Sequence, residues 1–327
     1  MQKKTLTEAI LSGPGPQTKG ECLRLYFKGL LMGTADLVPG VSGGTVAFVS
    51  GIYEDLLESI SSFNKDFFKD LFSFRFKEAF SRAHFRFLIP LVLGIGTAIF
   101  SLAKVMHFLM ADYPHQTWGL FFGLICASIL VVGKSLETPL SPKTLFFILL
   151  GGVFGFALVS LIPVTTPESL WFIFLCGGIG ISAMILPGLS GSFLLLILGK
   201  YAYVTGALKS PLEPENAIIL CVFLSGMIVG LLSFSKILRF LLKKYRELTM
   251  SFLTGLLIGS LKKIWPWKHV LETKIIRGKV RVLREEEFFP GDLNNEVLFV
   301  FSLMILGLIG VLLIEGYSSK KKDLLEA

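Results

Sequence analysis

The chain has 327 residues, of which 53% are hydrophobic and 17% charged, and its formal net charge is +8. A soluble fold cannot bury that much apolar surface and still face water, so the composition excludes a pair of ordinary soluble domains and predicts an integral membrane protein. In such a protein an excess of Lys and Arg is typical of cytoplasmic loops, so we expect no nucleic-acid partner.

The first half begins with a polar segment at residues 1–20, which lacks the apolar core of a cleavable signal peptide. A short helix is expected around 22–34, and the sequence DLVPGVSGGT follows at 36–45, with an apolar run to about residue 60. After a basic, Phe-rich loop to about residue 85, the apolar runs predict transmembrane helices at 87–110, 117–133 and 144–162.

The second half opens with an apolar helix predicted at 170–184, then the sequence ILPGLSG at 185–191 and an apolar run to about residue 208. Further transmembrane helices are predicted at 217–242, 248–261 and 297–315. A polar loop, 262–296, separates the last two, and a cytoplasmic tail is expected at 317–327.

The two halves match one another in sequence. The first Pro-Gly-x-Ser-Gly element recurs 148 residues later, and positions 94–129 align without a gap on positions 226–261. Ten positions of that alignment are identical, more than chance gives in apolar segments: Gly94/Gly226, Ser101/Ser233, Lys104/Lys236, Phe108/Phe240, Leu109/Leu241, Tyr113/Tyr245, Thr117/Thr249, Gly123/Gly255, Leu124/Leu256 and Ser128/Ser260. The chain is therefore interpreted as a duplication, with repeats at 21–165 and 166–316.

The sense of the duplication follows from counting helices. If each Pro-Gly-x-Ser-Gly element and the helix before it form a re-entrant hairpin, each half adds three full spans, and an odd number inverts the second copy. The predicted fold is an all-α polytopic membrane protein built as an inverted repeat, each half one re-entrant helical hairpin plus three transmembrane helices.

The positive-inside rule supports this topology in most loops. With a cytoplasmic N-terminus, the basic loops 61–86 and 243–248 and the tail are cytoplasmic, and the outer connections 111–116 and 163–169 contain no Lys or Arg. The loop 262–296 disagrees, because it is expected outside yet carries eight Lys and Arg residues. Either this loop has a function of its own on the outer side of the membrane, or the number of transmembrane helices predicted at the end of the chain is wrong.

The two helix breaks are the candidate substrate site. Proline suits the first turn of a helix and glycine permits a tight turn, so each element predicts a break followed by a new helix. The first N–H groups of that helix lack intrahelical partners and attract anions. The predicted binding residues are Pro39, Gly40, Ser42, Gly43, Gly44, Thr45, Pro187, Gly188, Ser190, Gly191 and Ser192.

A purely structural interpretation of each break is a kinked helix whose small residues allow close helix packing. Two breaks at matching places in inverted halves favour a site instead, because they bring two anion-attracting helix ends together near the membrane midplane.

Three charged residues within or beside the apolar segments extend this hypothesis. Lys104 and Lys236 are repeat partners that either extend to the lipid headgroups or neutralise an anionic substrate. Asp36, whose repeat partner is Met184, either caps the helix after the first break or couples transport to a proton or cation.

The sequence contains no HExxH, GxSxG or Walker motif and no paired His/Cys ligand set. We therefore expect no enzymatic activity, no catalytic residues, no metal and no cofactor.

On residues 33–45 (GTADLVPGVSGGT) and 186–191 (LPGLSG), the chain resembles the bacterial undecaprenyl-phosphate translocase family over nearly its whole length. The resemblance implies a transporter, or flippase, in the bacterial cytoplasmic membrane. Such a protein returns the polyprenyl-phosphate carrier lipid from the outer to the inner leaflet for reuse in cell-envelope synthesis. A homo-oligomer is compatible with the sequence.

Three alternatives remain open at this point. A small-anion transporter or channel on the same opposed hairpins would need a closed, water-lined pore, whereas a lipid transporter needs a groove open to the bilayer. A membrane enzyme of lipid-phosphate metabolism would need converging acids, nucleophiles or metal ligands. A structural or regulatory membrane protein would leave the paired breaks unexplained.

Overall fold

A computed structural model describes residues 13–38, 40–164, 166–276 and 279–326, although not the side chains of residues 274–276, 279–284, 314 and 316–326. Part of the predicted N-terminal segment, residues 1–12, and Pro39 of the first break lie outside the described residues.

Helices dominate the described chain. In the first half they are α1 (Lys19–Asp36), α2 (Gly43–Val49), α3 (Tyr53–Ser61), α4 (Lys65–Phe72), α5 (Phe76–Arg82), α6 (Phe85–Asp112), α7 (Pro114–Lys134) and α8 (Pro142–Val159). In the second half they are α9 (Leu170–Ile185), α10 (Gly191–Ile197), α11 (Tyr201–Ala207), α12 (Pro214–Lys244), α13 (Arg246–Ile264) and α14 (Asn295–Glu326).

Local capping explains where several helices begin. Thr18 accepts a hydrogen bond from the Glu21 amide, and the Glu21 carboxylate accepts from the Thr18 amide, so the two residues form a capping box at the start of α1. Helices α7, α8 and α12 carry Pro in their first turn, where the missing N–H removes no helical hydrogen bond.

Five described helices are long and apolar enough to cross a membrane: α6, α7, α8, α12 and residues Asn295–Leu313 of α14. Their surfaces carry large exposed apolar side chains, with Phe100 of α6 as much as 91% exposed. This pattern suits helices that face lipid, so the chain is a multi-pass membrane protein.

The remaining predicted transmembrane helix, 248–261, lies within α13 and is not among these five. Helix α13 has charged residues in both its first and its last turn, and ten of its 19 residues are buried against other helices. A helix enclosed by protein can carry hydroxyl groups that one facing lipid cannot, which accounts for its lower hydropathy.

Two segments predicted as loops have regular structure. The basic segment after α3 forms the short helices α4 and α5, with Asn64 capping α4. The segment 262–296 contains an antiparallel hairpin of β1 (Lys268–Ile276) and β2 (Lys279–Glu287), a departure from the all-helical prediction. Its alternation of charged and β-branched residues suits a strand, whereas its high charge predicted a loop.

Corresponding helix contacts occur in both halves. A side chain at Gly29 of α1 would collide with the Leu91 carbonyl of α6, and one at the corresponding Gly177 of α9 would collide with the Phe223 carbonyl of α12. Close backbone approach at small residues is how helices associate in membranes.

The third long helix of each half packs on the other half. Gly255 of α13 lies against the Ile148 carbonyl of α8, and the corresponding Gly123 of α7 lies against the Met304 carbonyl of α14. Because α8 and α14 are exchanged in this way, neither half forms its packed core alone.

This packing predicts the effect of Gly255→Ala. The added Cβ would collide with the Ile148 carbonyl, and overpacking of this kind costs about 1–3 kcal/mol. We expect a lower unfolding temperature in detergent. Gly96→Ala on α6, where a Cβ meets nothing within 4 Å, is the control, and equal unfolding temperatures for the two variants would contradict the packing.

Candidate functional site

The two helix breaks are in direct contact. The Ser42 hydroxyl donates to the Met184 carbonyl at 2.8 Å, and the Tyr53 hydroxyl donates to the Ile185 carbonyl at 3.2 Å. Both carbonyls lie at the C-terminal end of α9, where helical acceptors lack intrahelical partners. Groups from the first half therefore satisfy the helix that ends at the second break.

A third bond runs in the opposite direction between the breaks. The amide of Gly188 in the second break donates to the Thr45 hydroxyl of α2 at 2.9 Å. Ser42 and Thr45 are almost completely buried, so these bonds form away from bulk water. Ser42, just before α2, and Thr45 within it thus hold the C-terminal end of α9 and the turn that follows it.

The backbone of the two breaks has the same conformation. Gly40 and Gly188 have φ values of +91° and +84°, and Gly51 and Gly199, after the following short helices, have +70° and +66°. Side chains rarely adopt this left-handed region, so glycine is required at these turns. The bends at Gly51 and Gly199 also divide the predicted apolar runs into α2–α3 and α10–α11.

The amides of the first break already have partners. The Gly43 amide donates to Asp36 at 2.7 Å, and the Gly44 amide donates to the Ser42 hydroxyl at 3.1 Å. Asp36 thus caps the helix after the break, one of the two roles considered for it. The sequence predicted amides without partners, but a buried N–H group that faces protein must be hydrogen-bonded. An anion therefore reaches the Gly43 and Gly44 amides only by replacing the side chains of Asp36 and Ser42.

The second break is less fully capped. Ser190 makes no side-chain capping bond to α10 in the described structure, and its hydroxyl lies 2.9 Å from that of Ser192. Pro187 is fully buried, and a side chain at Gly191 would collide with the Gly180 carbonyl of α9. Ser190 and Ser192 therefore present a hydroxyl pair at the start of α10.

The structure does not bring Lys104 and Lys236 into this contact. Both are exposed, on α6 and α12, whereas the break residues Ser42, Thr45 and Ser190 are at most 6% exposed. No described hydrogen bond or ion pair joins either lysine to a break. Their repeat relation predicted equivalent positions, but it gave no information on which face of the helix they occupy.

Lys263, at the end of α13, contacts the first break and the helix after the second, and sequence reasoning assigned it only to the basic loop. Its Cγ would lie 3.0 Å from a Cβ added at Gly40, and its ammonium group lies 4.8 Å from the centre of the Phe193 ring in α10. Glu285 of β2 pairs with the ammonium at 3.0 Å. The one sequence signal for Lys263 was its place directly after a predicted span.

An apolar groove of about 530 Å³ lies beside the second break. It is bounded by α8, α9, α12 and the break itself, and Leu186, Leu189 and Leu194 bring its lining to the break. The groove is open on one side, and its apolar surface suits a hydrocarbon chain.

The bond between Thr45 and Gly188 predicts the effect of Thr45→Val. Valine keeps the shape but leaves the Gly188 amide without its acceptor, at a cost of about 1–3 kcal/mol. We expect a lower unfolding temperature in detergent than for Thr97→Val, the control, since Thr97 is exposed on α6 and bonds its own helix. If both variants unfold alike, the two breaks are not joined through Thr45.

Comparison with known proteins identifies relatives over most of the chain. A sequence model of the VCA0040-like family, described as undecaprenyl phosphate translocase-like, matches residues 32–280. A polyprenyl-phosphate transporter of Vibrio cholerae serotype O1 is 40% identical over 305 residues, which cover 91% of this chain and 97% of that protein. A polyprenyl-phosphate transporter of Staphylococcus aureus is 33% identical over 255 residues, which cover 73% of this chain and 85% of that protein.

No solved structure shows a significant match to the chain. The match to the family model spans both helix breaks, and the identity to the two transporters extends over most of their length. The chain therefore belongs to the VCA0040-like, undecaprenyl phosphate translocase-like family.

Proposed function

We propose that the protein transports a polyprenyl phosphate of the undecaprenyl-phosphate class across the bacterial cytoplasmic membrane, from the outer to the inner leaflet. The relatives are named as transporters of polyprenyl phosphate. The single observation that carries the proposal is the contact of two polar helix breaks beside an apolar groove. A phosphate head needs the first feature, and an isoprenoid tail needs the second.

The transport path is proposed to follow an inverted repeat of two re-entrant hairpins, each followed by three helices. The corresponding contacts of α1–α6 and α9–α12 support this arrangement. In such transporters the substrate site lies near the midplane, where interrupted helices from both repeats meet. The headgroup would pass between Ser42 and Ser190 while the tail stays in the groove.

A lipid substrate fits this geometry better than a small anion does. A small-anion channel requires a water-lined pore, whereas the groove beside Leu186 and Leu194 is apolar and open on one side. Hydrocarbon entering it costs nothing in hydration, since the tail moves from lipid to an apolar surface.

Passage of the headgroup requires the breaks to separate and re-form their bonds on the phosphate. Ion pairs tie α3 to the second half, between Arg246 and Glu54 at 2.9 Å and between Arg239 and Glu58. The positive-inside rule puts this end of the protein in the cytoplasm. The conformation described is accordingly proposed to be closed towards the cytoplasm.

Replacement of both break serines tests the site. We expect Ser42→Ala with Ser190→Ala to slow leaflet exchange of a labelled polyprenyl phosphate in proteoliposomes by roughly 30-fold, because each of the two hydroxyls contributes about 1 kcal/mol when it bonds the passing phosphate. The control is Ser101→Ala with Ser225→Ala, two exposed serines that bond their own helices.

Exchange at the wild-type rate in the break variant would return Ser42 and Ser190 to a packing role. Wild-type protein that gives no acceleration over empty liposomes, across pH gradients and ionic conditions, would contradict the transport function itself.

Coupling to a proton is proposed for Asp36. Asparagine retains an oxygen that can accept the Gly43 amide, so Asp36→Asn keeps the cap and removes the titrating group. We expect the exchange rate of this variant to become independent of an imposed pH gradient that accelerates the wild type. A variant that responds to the gradient as the wild type does would exclude Asp36 as the coupling group.

A further inference from the structure

The β-hairpin places a carboxylate between two lysines beside the helix breaks. Glu285 of β2 lies 3.0 Å from the Lys263 ammonium and 3.7 Å from that of Lys268. The Lys268 side chain is only 8% exposed, while those of Lys263 and Glu285 are 22% and 26% exposed. One carboxylate thus faces two ammonium groups in a partly dry environment.

Burial and charge explain the protonation of this cluster. Burial lowers the pKa of Lys268 to about 8, with Glu285 opposing the shift. Burial by itself would raise the pKa of Glu285, but the charges of Lys263 and Lys268 outweigh it and lower that pKa. Lys268 and Glu285 are therefore mainly charged at neutral pH.

A cavity of about 90 Å³ lies next to the cluster. Ser160, Lys262 and Glu287 line it together with Lys263 and Glu285. The Lys262 ammonium donates to the Ser160 hydroxyl at 2.9 Å. With Lys268 behind Glu285, three ammonium groups and two carboxylates leave one positive charge. A single water needs roughly 10–15 Å³ of cavity volume, so this cavity has room for a group of several heavy atoms.

The cavity reaches the helix after the second break, and one of its lining residues touches the first break. Phe193 of α10 lines it, and the Lys263 stem packs against Gly40 of the first break. The four-carbon stem of Lys263 is flexible, so its ammonium group could turn away from Glu285 and towards the first break.

Aromatic side chains hold the hairpin in place over the cavity. The Trp265 indole donates to the Phe288 carbonyl at 2.9 Å, and the Trp265 ring contacts Phe122 of α7. The Lys268 ammonium lies 4.7 Å from the centre of the Trp118 ring, also in α7. The position of Glu285 is thus fixed by packing at the base of the hairpin.

We propose that this cavity is the entry site for the lipid phosphate, in which Lys263 and Lys268 bind the headgroup and Glu285 is a carboxylate that the phosphate displaces. The inference rests on the proposed transport of a polyprenyl phosphate. A phosphate monoester carries about 1.5–2 negative charges at pH 7, so it is a stronger partner for two ammonium groups than one carboxylate is.

Binding of a polyprenyl phosphate to the full-length protein in neutral-lipid nanodiscs tests the entry site, with tryptophan fluorescence as the readout because Trp118 contacts Lys268. We expect Lys263→Gln with Lys268→Gln to weaken binding at least 10-fold. Glu285→Gln removes the competing carboxylate, and we expect it to strengthen binding several-fold.

Glu286→Gln is the matched control, because Glu286 is the next residue of β2 and is exposed. We expect it to bind as the wild type does. The double arginine variant, Lys263→Arg with Lys268→Arg, keeps both charges and is expected to retain most of the affinity. Unfolding temperatures of all variants verify that each protein is folded.

Three results would overturn the entry site. The first is unchanged affinity in a folded glutamine double variant, and the second is weaker binding in Glu285→Gln, which would make Glu285 only a structural anchor. The third is inorganic phosphate binding as tightly as the lipid, which would indicate a site for free phosphate. The same variants bound to the corresponding polyprenol, without phosphate, give the baseline contributed by the tail.

Leaflet exchange by the same variants in proteoliposomes separates this inference from the proposed function. Lysine-dependent binding without any exchange would reject transport but support binding of the headgroup by Lys263 and Lys268. Normal exchange with lysine-independent binding would reject the entry site and leave transport standing.

Discussion

The structure depends on one constraint, which is that a helix interrupted inside a membrane must find partners for its broken backbone bonds. Water cannot supply them in hydrocarbon, and each unsatisfied group costs several kcal/mol. Here the first interruption supplies partners for the second. Ser42 and Tyr53 bond the carbonyls at the end of α9, and Thr45 bonds the amide of Gly188. The second break thus depends on the first for these bonds, and the contact joins the two halves.

The same constraint makes the contact suitable for a transported anion. The hydroxyl and amide donors of the breaks can bond a phosphate instead, because phosphate oxygens accept from the same groups. The Met184 and Ile185 carbonyls then need other donors. Asp36 already occupies the Gly43 amide with a carboxylate, and an arriving anion would replace one acceptor by another. The path between the halves therefore need not contain a permanent water-filled pore.

The sequence predicted those features that depend on local chemistry or on repetition. Glycine and proline located both breaks, and the recurrence of residues 94–129 predicted that equivalent helices would follow them. It did not predict features that depend on three-dimensional packing. The exchange of α8 and α14 follows from backbone contacts at Gly123 and Gly255, which any small residue in an apolar run could make. Lys104 and Lys236 share a register in the predicted repeat, yet register does not determine the face that a helix buries.

The charged residues around the breaks do not follow the repeat. Asp36 corresponds to Met184 in the second half, and Lys263 corresponds to Val131 when the register of α7 and α13 is continued. The hairpin after α13 has no counterpart after α7, where a short turn leads directly to α8. Two equivalent halves would present equal sites to both membrane faces, so the repeat alone gives no preference for one leaflet. Charge placed on one side changes this balance, because the proposed entry site attracts the phosphate where Lys263 and Lys268 lie, and the described residues of the first half form no matching cluster. The asymmetry of a transporter built on two similar halves thus resides in the residues that were added to the repeat.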